Sequence, residues 1–103
     1  MTENGKNASR PGYIHDKPGL TRRLARIEGQ VRGVRGMVES EAYCIDVVTQ
    51  IAAITRALDG VALKLVEDHT THCVRDALER GGSDADEKVE ELLAAVERFT
   101  RTR

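Results

Sequence analysis

Cys44, His69 and Cys73 are the side chains of this 103-residue chain whose types and spacing suit metal chemistry. His69 and Cys73 stand four residues apart, one turn of an α-helix, and so share a face as helical ligand pairs do. Cys44 precedes His69 by 25 residues, which one straight helix would stretch to roughly 37 Å. Within such a helix the three cannot meet. Two copies packed antiparallel would bring Cys44 of one beside His69 and Cys73 of the other, making two identical sites per dimer. Two thiolates and an imidazole form a soft, three-coordinate set that suits copper(I), with zinc or nickel accommodated if a fourth donor joins. Taken singly, each residue has a blander use, since free cysteine packs as a small hydrophobe and a histidine on an apolar stripe is commonly a core residue. The three in concert favour a ligand set. His15 is an isolated tail histidine without a spaced partner and is the weaker candidate for an extra ligand.

The elements that must position these residues are helical. Between Val47 and Val74 there is no proline and one glycine, Gly60. Over that stretch Cys44, Val48, Ile51, Thr55, Leu58, Ala62, Leu65 and His69 recur at alternating steps of four and three, the stripe of an amphipathic helix along a bundle seam. This second helix is expected from about Ala42, capped by Ser40 or Glu41, to Glu79, where Gly81-Gly82 stops it. A first helix begins near Lys17 with Pro18 in its opening turn and runs to about Ser40, its stripe being Leu20, Leu24, Ile27, Val31, Val34 and Val38. So short a link between long helices implies an antiparallel hairpin. A third helix runs from Ala85 to about Phe99, with Ser83-Asp84 as its cap. Gly29, Gly33 and Gly36, on one side of the first helix, suit close approach of another backbone. Residues 1–16 read as a flexible N-terminal tail and 17–103 as a single helical domain.

Composition narrows the function. Residues 1–36 carry eight Lys/Arg against three acids, whereas the remainder carries eight against fourteen. A basic first helix on an acidic body suggests a polyanion partner. With Tyr13, Tyr43 and Phe99 as the aromatic residues, the core falls to aliphatics, and a short chain with a very long helix needs another copy to cover its stripe. No secretory h-region or bilayer-length apolar run stands out, so a cytoplasmic location without a membrane partner is expected, where thiols stay reduced. No Ser/His/Asp set, glycine-rich phosphate loop or carboxylate pair beside a nucleophile is suggested, and a helical hairpin offers little concave pocket. The expectation is not an enzyme.

The pattern resembles the CsoR/RcnR family of bacterial metal-sensing repressors, in its copper(I)-sensing branch. The resemblance runs from Leu20 to Phe99 through Arg23-Leu24-x-Arg26-Ile27-x-Gly29-Gln30-x-x-Gly33, then Tyr43-Cys44-x-Asp46-Val47-x-x-Gln50-Ile51, then His69-x-x-x-Cys73. It implies an all-α, three-helix protomer, an antiparallel four-helix-bundle dimer and a homotetramer that binds operator DNA until Cu(I) reaches Cys44, His69 and Cys73, so derepressing copper efflux or sequestration genes. A copper chaperone is the implied metal donor. By the same resemblance Tyr43 and Glu91 lie behind His69, holding its other ring nitrogen. DNA contact is carried to Arg23 with Arg22, Arg26, Lys17, Arg32 and Arg35. A second-helix position that is basic in some members is Gly60 here, flanked by Arg56 and Lys64. Rival readings are a thiol redox or persulfide sensor, a nickel sensor of the same fold, and a helical interaction module without DNA.

Overall fold

The computed structural model describes residues 11–101. Those residues form a 3-10 turn at Ile14–Asp16, then α1 (Lys17–Glu39), α2 (Cys44–Asp68), a π-helical segment (His69–Val74), α3 (Arg75–Arg80) and α4 (Gly82–Arg101). They contain no strand, in agreement with the all-α class expected from the periodicities. Among the described residues, no helix is long and apolar enough to cross a membrane. The chain divides into two compact units, where the sequence suggests a single domain over 17–103. One is Asp16–Leu63, and the other joins 11–15 to 64–101 among the described residues.

In the first unit α1 and α2 make the expected hairpin. Pro18 sits in the opening turn of α1, where its missing N–H has no intrahelical partner to lose. The bend is a Schellman motif: the Ala42 N–H donates to the Met37 carbonyl at 2.9 Å and the Glu41 N–H to the Val38 carbonyl at 3.0 Å. Glu41, at φ 62°, occupies the left-handed position that glycine usually takes. Ser40 and Glu41 therefore close α1 and do not cap α2. The cap is Tyr43, whose carbonyl accepts the Val47 N–H at 3.2 Å. Leu20 and Ile27 on α1 and Ile54 and Val61 on α2 are buried, at matching distances either side of the bend. Withdrawing such a side chain from water is worth about 1.5–3 kcal/mol, so this seam is a thin core. The flank beside that seam is bare: Leu24, Val31 and Val38 on α1 and Val48, Ile51 and Leu58 on α2 are all exposed.

The second unit is built on the end of the long helical run. The helix expected to reach Glu79 continues one residue further, to Arg80, but its hydrogen bonding changes on the way. Across His69–Val74 the backbone closes five residues apart, as where the Arg75 N–H reaches the Thr70 carbonyl. The Thr70 hydroxyl donates back to the Val66 carbonyl at 2.8 Å, a bond that bends helices at such positions. Gly81, at φ 78°, ends α3, with its N–H on the Ala77 carbonyl at 2.9 Å. The third long helix then starts at Gly82 and not at Ala85, so Ser83 and Asp84 fall in its first turn, and it carries Thr100 and Arg101. Asp84 accepts from Arg80 Nε at 3.2 Å and Nη2 at 2.6 Å, bracing the corner. That hydrogen bond raises the Arg80 pKa. Val74, Ala77 and Ala85 are buried where α3, α4 and the π segment pack together.

The tail expected over 1–16 has structure at its end. The Ile14 N–H donates to the Pro11 carbonyl at 3.1 Å, and Gly12 lies so close to the π segment that a Cβ there would stand 2.5 Å from the Asp68 carbonyl oxygen. Residues 1–10 of that tail lie outside the described residues. Gly33 and Gly36, expected to admit another backbone, face open space in this protomer, with nothing within 4 Å of where a Cβ would stand.

Candidate metal centre and nucleic-acid face

Cys44 is the first residue of α2 and is exposed, with its thiol free. His69 and Cys73 lie in the π segment, both half-buried, and Cys73 is likewise free. Cys44 thus belongs to the Asp16–Leu63 unit and the His/Cys pair to the other. Among the described residues, the group of three whose donor atoms lie within 4.8 Å of one another is a different one: His15, Asp68 and His72.

Tyr43, expected behind His69, is an exposed residue of the link before α2. Glu91 is on α4, and its carboxylate is 3.5 Å from Lys88 Nζ. That ion pair is solvated and weak, so it leaves the carboxylate cheap to redirect. α4 itself packs against the π segment that carries His69 and Cys73.

The basic residues expected at DNA divide in the same way. Arg22, Arg23, Arg26, Arg32 and Arg35 are exposed along α1, Lys17 is exposed at its start, and Arg56 is exposed on α2. Fixed-geometry guanidinium groups on one helix suit bidentate contact with phosphate. The Arg23 guanidinium lies over Gly60, with Nη2 3.1 Å from where a Cβ would stand. Gly60 therefore gives room to an arginine of α1 in place of a basic side chain of its own. Lys64 is engaged elsewhere: its Nζ is 3.0 Å from Oδ1 of buried Asp68.

Sequence reasoning singled out neither Asp68 nor His72. Their i, i+4 spacing was visible, but His69 and Cys73 have the same spacing one residue later and include a thiol. The approach of His15 had no local signal at all.

The description "Metal-sensitive transcriptional repressor" fits a family model that matches residues 16–98. The chain is 50% identical over 91 residues to the copper-sensing transcriptional repressor RicR of Mycobacterium tuberculosis, covering 88% of this chain and 95% of that one. It is 47% identical over 87 residues to the copper-sensing transcriptional repressor CsoR of Bacillus subtilis, covering 84% of each. The crystal structure of the copper-sensing repressor CsoR with Cu(I) from Geobacillus thermodenitrificans superposes with a TM-score of 0.79 at 37% identity, covering 97% of this chain and 94% of that one. These matches span both units and agree with the resemblance carried by the three sequence motifs, and with a regulator in place of an enzyme. The chain belongs to the metal-sensitive transcriptional repressor family.

Proposed function

We propose that this chain is a copper(I)-responsive repressor: metal-free, it holds operator DNA, and Cu(I) bound by Cys44 of one protomer with His69 and Cys73 of an antiparallel partner weakens that hold. The observation that carries the reading is the bare stripe of Val48, Ile51 and Leu58 that runs along α2 from Cys44. An exposed apolar stripe of this length needs a partner surface, and an inverted copy of the same helix is the partner that also completes the ligand set. Both thiols are free for it. The relatives named copper-sensing support copper(I) as the signal, and thiolates with one imidazole are the donors a soft monovalent ion prefers.

DNA is held by α1. Its arginines neutralise phosphates, and in a tetramer the cluster is repeated fourfold, so affinity falls steeply with salt. Metal ligation is relayed through His69. Once Nδ1 or Nε2 binds copper, the other nitrogen needs an acceptor, and Glu91 can leave Lys88 to provide it. Since α4 packs on the π segment, that exchange moves α4. Coupling of about 1–3 kcal/mol, or 5–150-fold in DNA affinity, is the usual size of such linkage. Release makes genes for copper efflux or sequestration readable, with a copper chaperone as the metal donor.

The test is anaerobic titration with Cu(I) while operator binding is followed by fluorescence anisotropy. Wild type should release DNA as a thiolate-copper absorption band grows. Cys44→Ala should bind DNA and keep it. Release of Cys44→Ala by copper would remove the intersubunit site, and release by an oxidant or persulfide but not by copper would make the chain a thiol sensor.

A further inference from the structure

We propose that His15, Asp68 and His72 form a second metal site, contained in one protomer and sharing no donor with the Cys44/His69/Cys73 set, that takes a divalent first-row cation of the zinc, cobalt and nickel class. The donor atoms of the three lie within 4.8 Å of one another. Asp68 and His72 are one turn apart at the start of the π segment, and the 3-10 turn Ile14–Asp16 delivers His15 to them. The two imidazole rings already meet edge to face, with centroids 4.7 Å apart at 62°.

Asp68 supplies an independent reason. It is 3% exposed, and while Oδ1 takes the Lys64 ammonium, Oδ2 is buried with no hydrogen-bond partner. A buried anionic oxygen left unpaired is costly. A cation between Oδ2 and the two imidazoles would satisfy it. Bond lengths of about 2.0–2.2 Å to nitrogen and oxygen place neighbouring donors roughly 3.3 Å apart in tetrahedral geometry. Two exposed imidazoles can close that gap by side-chain rotation, without moving the buried carboxylate.

The chemistry of the set points away from copper(I). Two imidazoles and a carboxylate, without sulfur, suit a borderline divalent ion with one or more positions left to water. Gly12 closes the same junction, its backbone close against the Asp68 carbonyl, so a bound ion would pin residues 11–15 to the turn that also carries His69 and Cys73. The soft site would read copper(I), and this one the divalent pool.

The measurement uses the untagged, full-length chain with Cys44→Ser and Cys73→Ser, titrated with Zn2+ alone by calorimetry and with Co2+ by absorption. One ion per protomer is expected, and the cobalt spectrum should show d–d bands without a sulfur-to-cobalt charge-transfer band. Adding His15→Ala or His72→Ala should weaken zinc binding at least about tenfold, because even an outer-sphere partner is worth about 10–100-fold. Both histidines are exposed, so neither change threatens folding. Zinc affinity unchanged by His15→Ala, or zinc uptake that vanishes with the cysteines, overturns the second site. Neither result depends on whether copper releases DNA.

Discussion

Arg23 of α1 lies over Gly60 of α2, its Nη2 atom 3.1 Å from the place a Cβ would occupy. The contact ties the most basic helix to the helix that begins with Cys44, and it involves the far end of a flexible side chain. Gly60→Ala should therefore cost little in sterics and recover most of the roughly 1 kcal/mol that glycine forfeits in a helix. Chemical denaturation should show the midpoint rising with an unchanged m-value. A fall in stability would mean that Arg23 has nowhere else to go.

Arg23→Ala tests the DNA face itself. Each phosphate that the protein no longer neutralises lowers the magnitude of the slope of log K against log salt by about 0.9. We expect a shallower slope and weaker binding to operator and unrelated DNA alike. An unchanged slope would take Arg23 off the interface, while a weakening restricted to operator would make it a base-reading residue.

Glu91→Ala separates ligation from transmission. If the carboxylate serves the His69 ring, copper affinity should fall by about 10–100-fold, and DNA should stay bound even when copper is raised to saturation. Lys88→Ala, which removes the other member of the pair, should leave release intact. Equal behaviour of the two variants in the anisotropy titration would disprove the exchange.

Glu41→Gly should stabilise the hairpin. A left-handed backbone costs a non-glycine residue about 1–2 kcal/mol, and Glu41 bears that at φ 62°. Part of the gain is offset by the greater freedom of glycine in the unfolded chain, leaving about 0.5–1 kcal/mol. Thermal melts at fixed protein concentration would register it as a rise of a few degrees; no rise would place the strain elsewhere.

Gly12→Ala should do the opposite at the other junction. The added methyl meets backbone atoms of Asp68 and His69 that cannot rotate away, so residues 11–15 must lift. Limited proteolysis near Tyr13 should accelerate while α1 and α4 persist by circular dichroism. Zinc binding in the cysteine-free chain should weaken in parallel. Unaltered proteolysis would show that the contact is dispensable.

The hairpin, the glycine stop at Gly81 and the alternating stripes of α1 and α2 were legible in the sequence because each rests on a local rule of spacing or backbone conformation. The stripe expected along α2 is exposed at Val48, Ile51 and Leu58, and the buried apolar residues of that helix, Ile54 and Val61, lie outside it. The cap of α2 was misplaced by a few residues because a glutamate, Glu41, took the left-handed position, which composition does not reveal. The π segment left no trace at all: a stripe read at steps of three and four passes through His69 whether the backbone closes at four residues or five. Asp68 was missed for a related reason, since a carboxylate on a helix is ordinarily read as solvated, and its burial depends on Gly12 arriving from more than fifty positions away.

A turn closed at five residues can be seen as an α-turn with one codon too many. Removing a single residue between His69 and Cys73 would restore ordinary winding, shorten their spacing from four residues to three, and leave the helix downstream in nearly the same phase, because a π turn absorbs one extra residue. Lineages could therefore reset the angle between the imidazole and thiol of this run by an in-frame deletion, keeping both residues while changing which ion their geometry admits. Selectivity for the ion would then be heritable as length as well as composition.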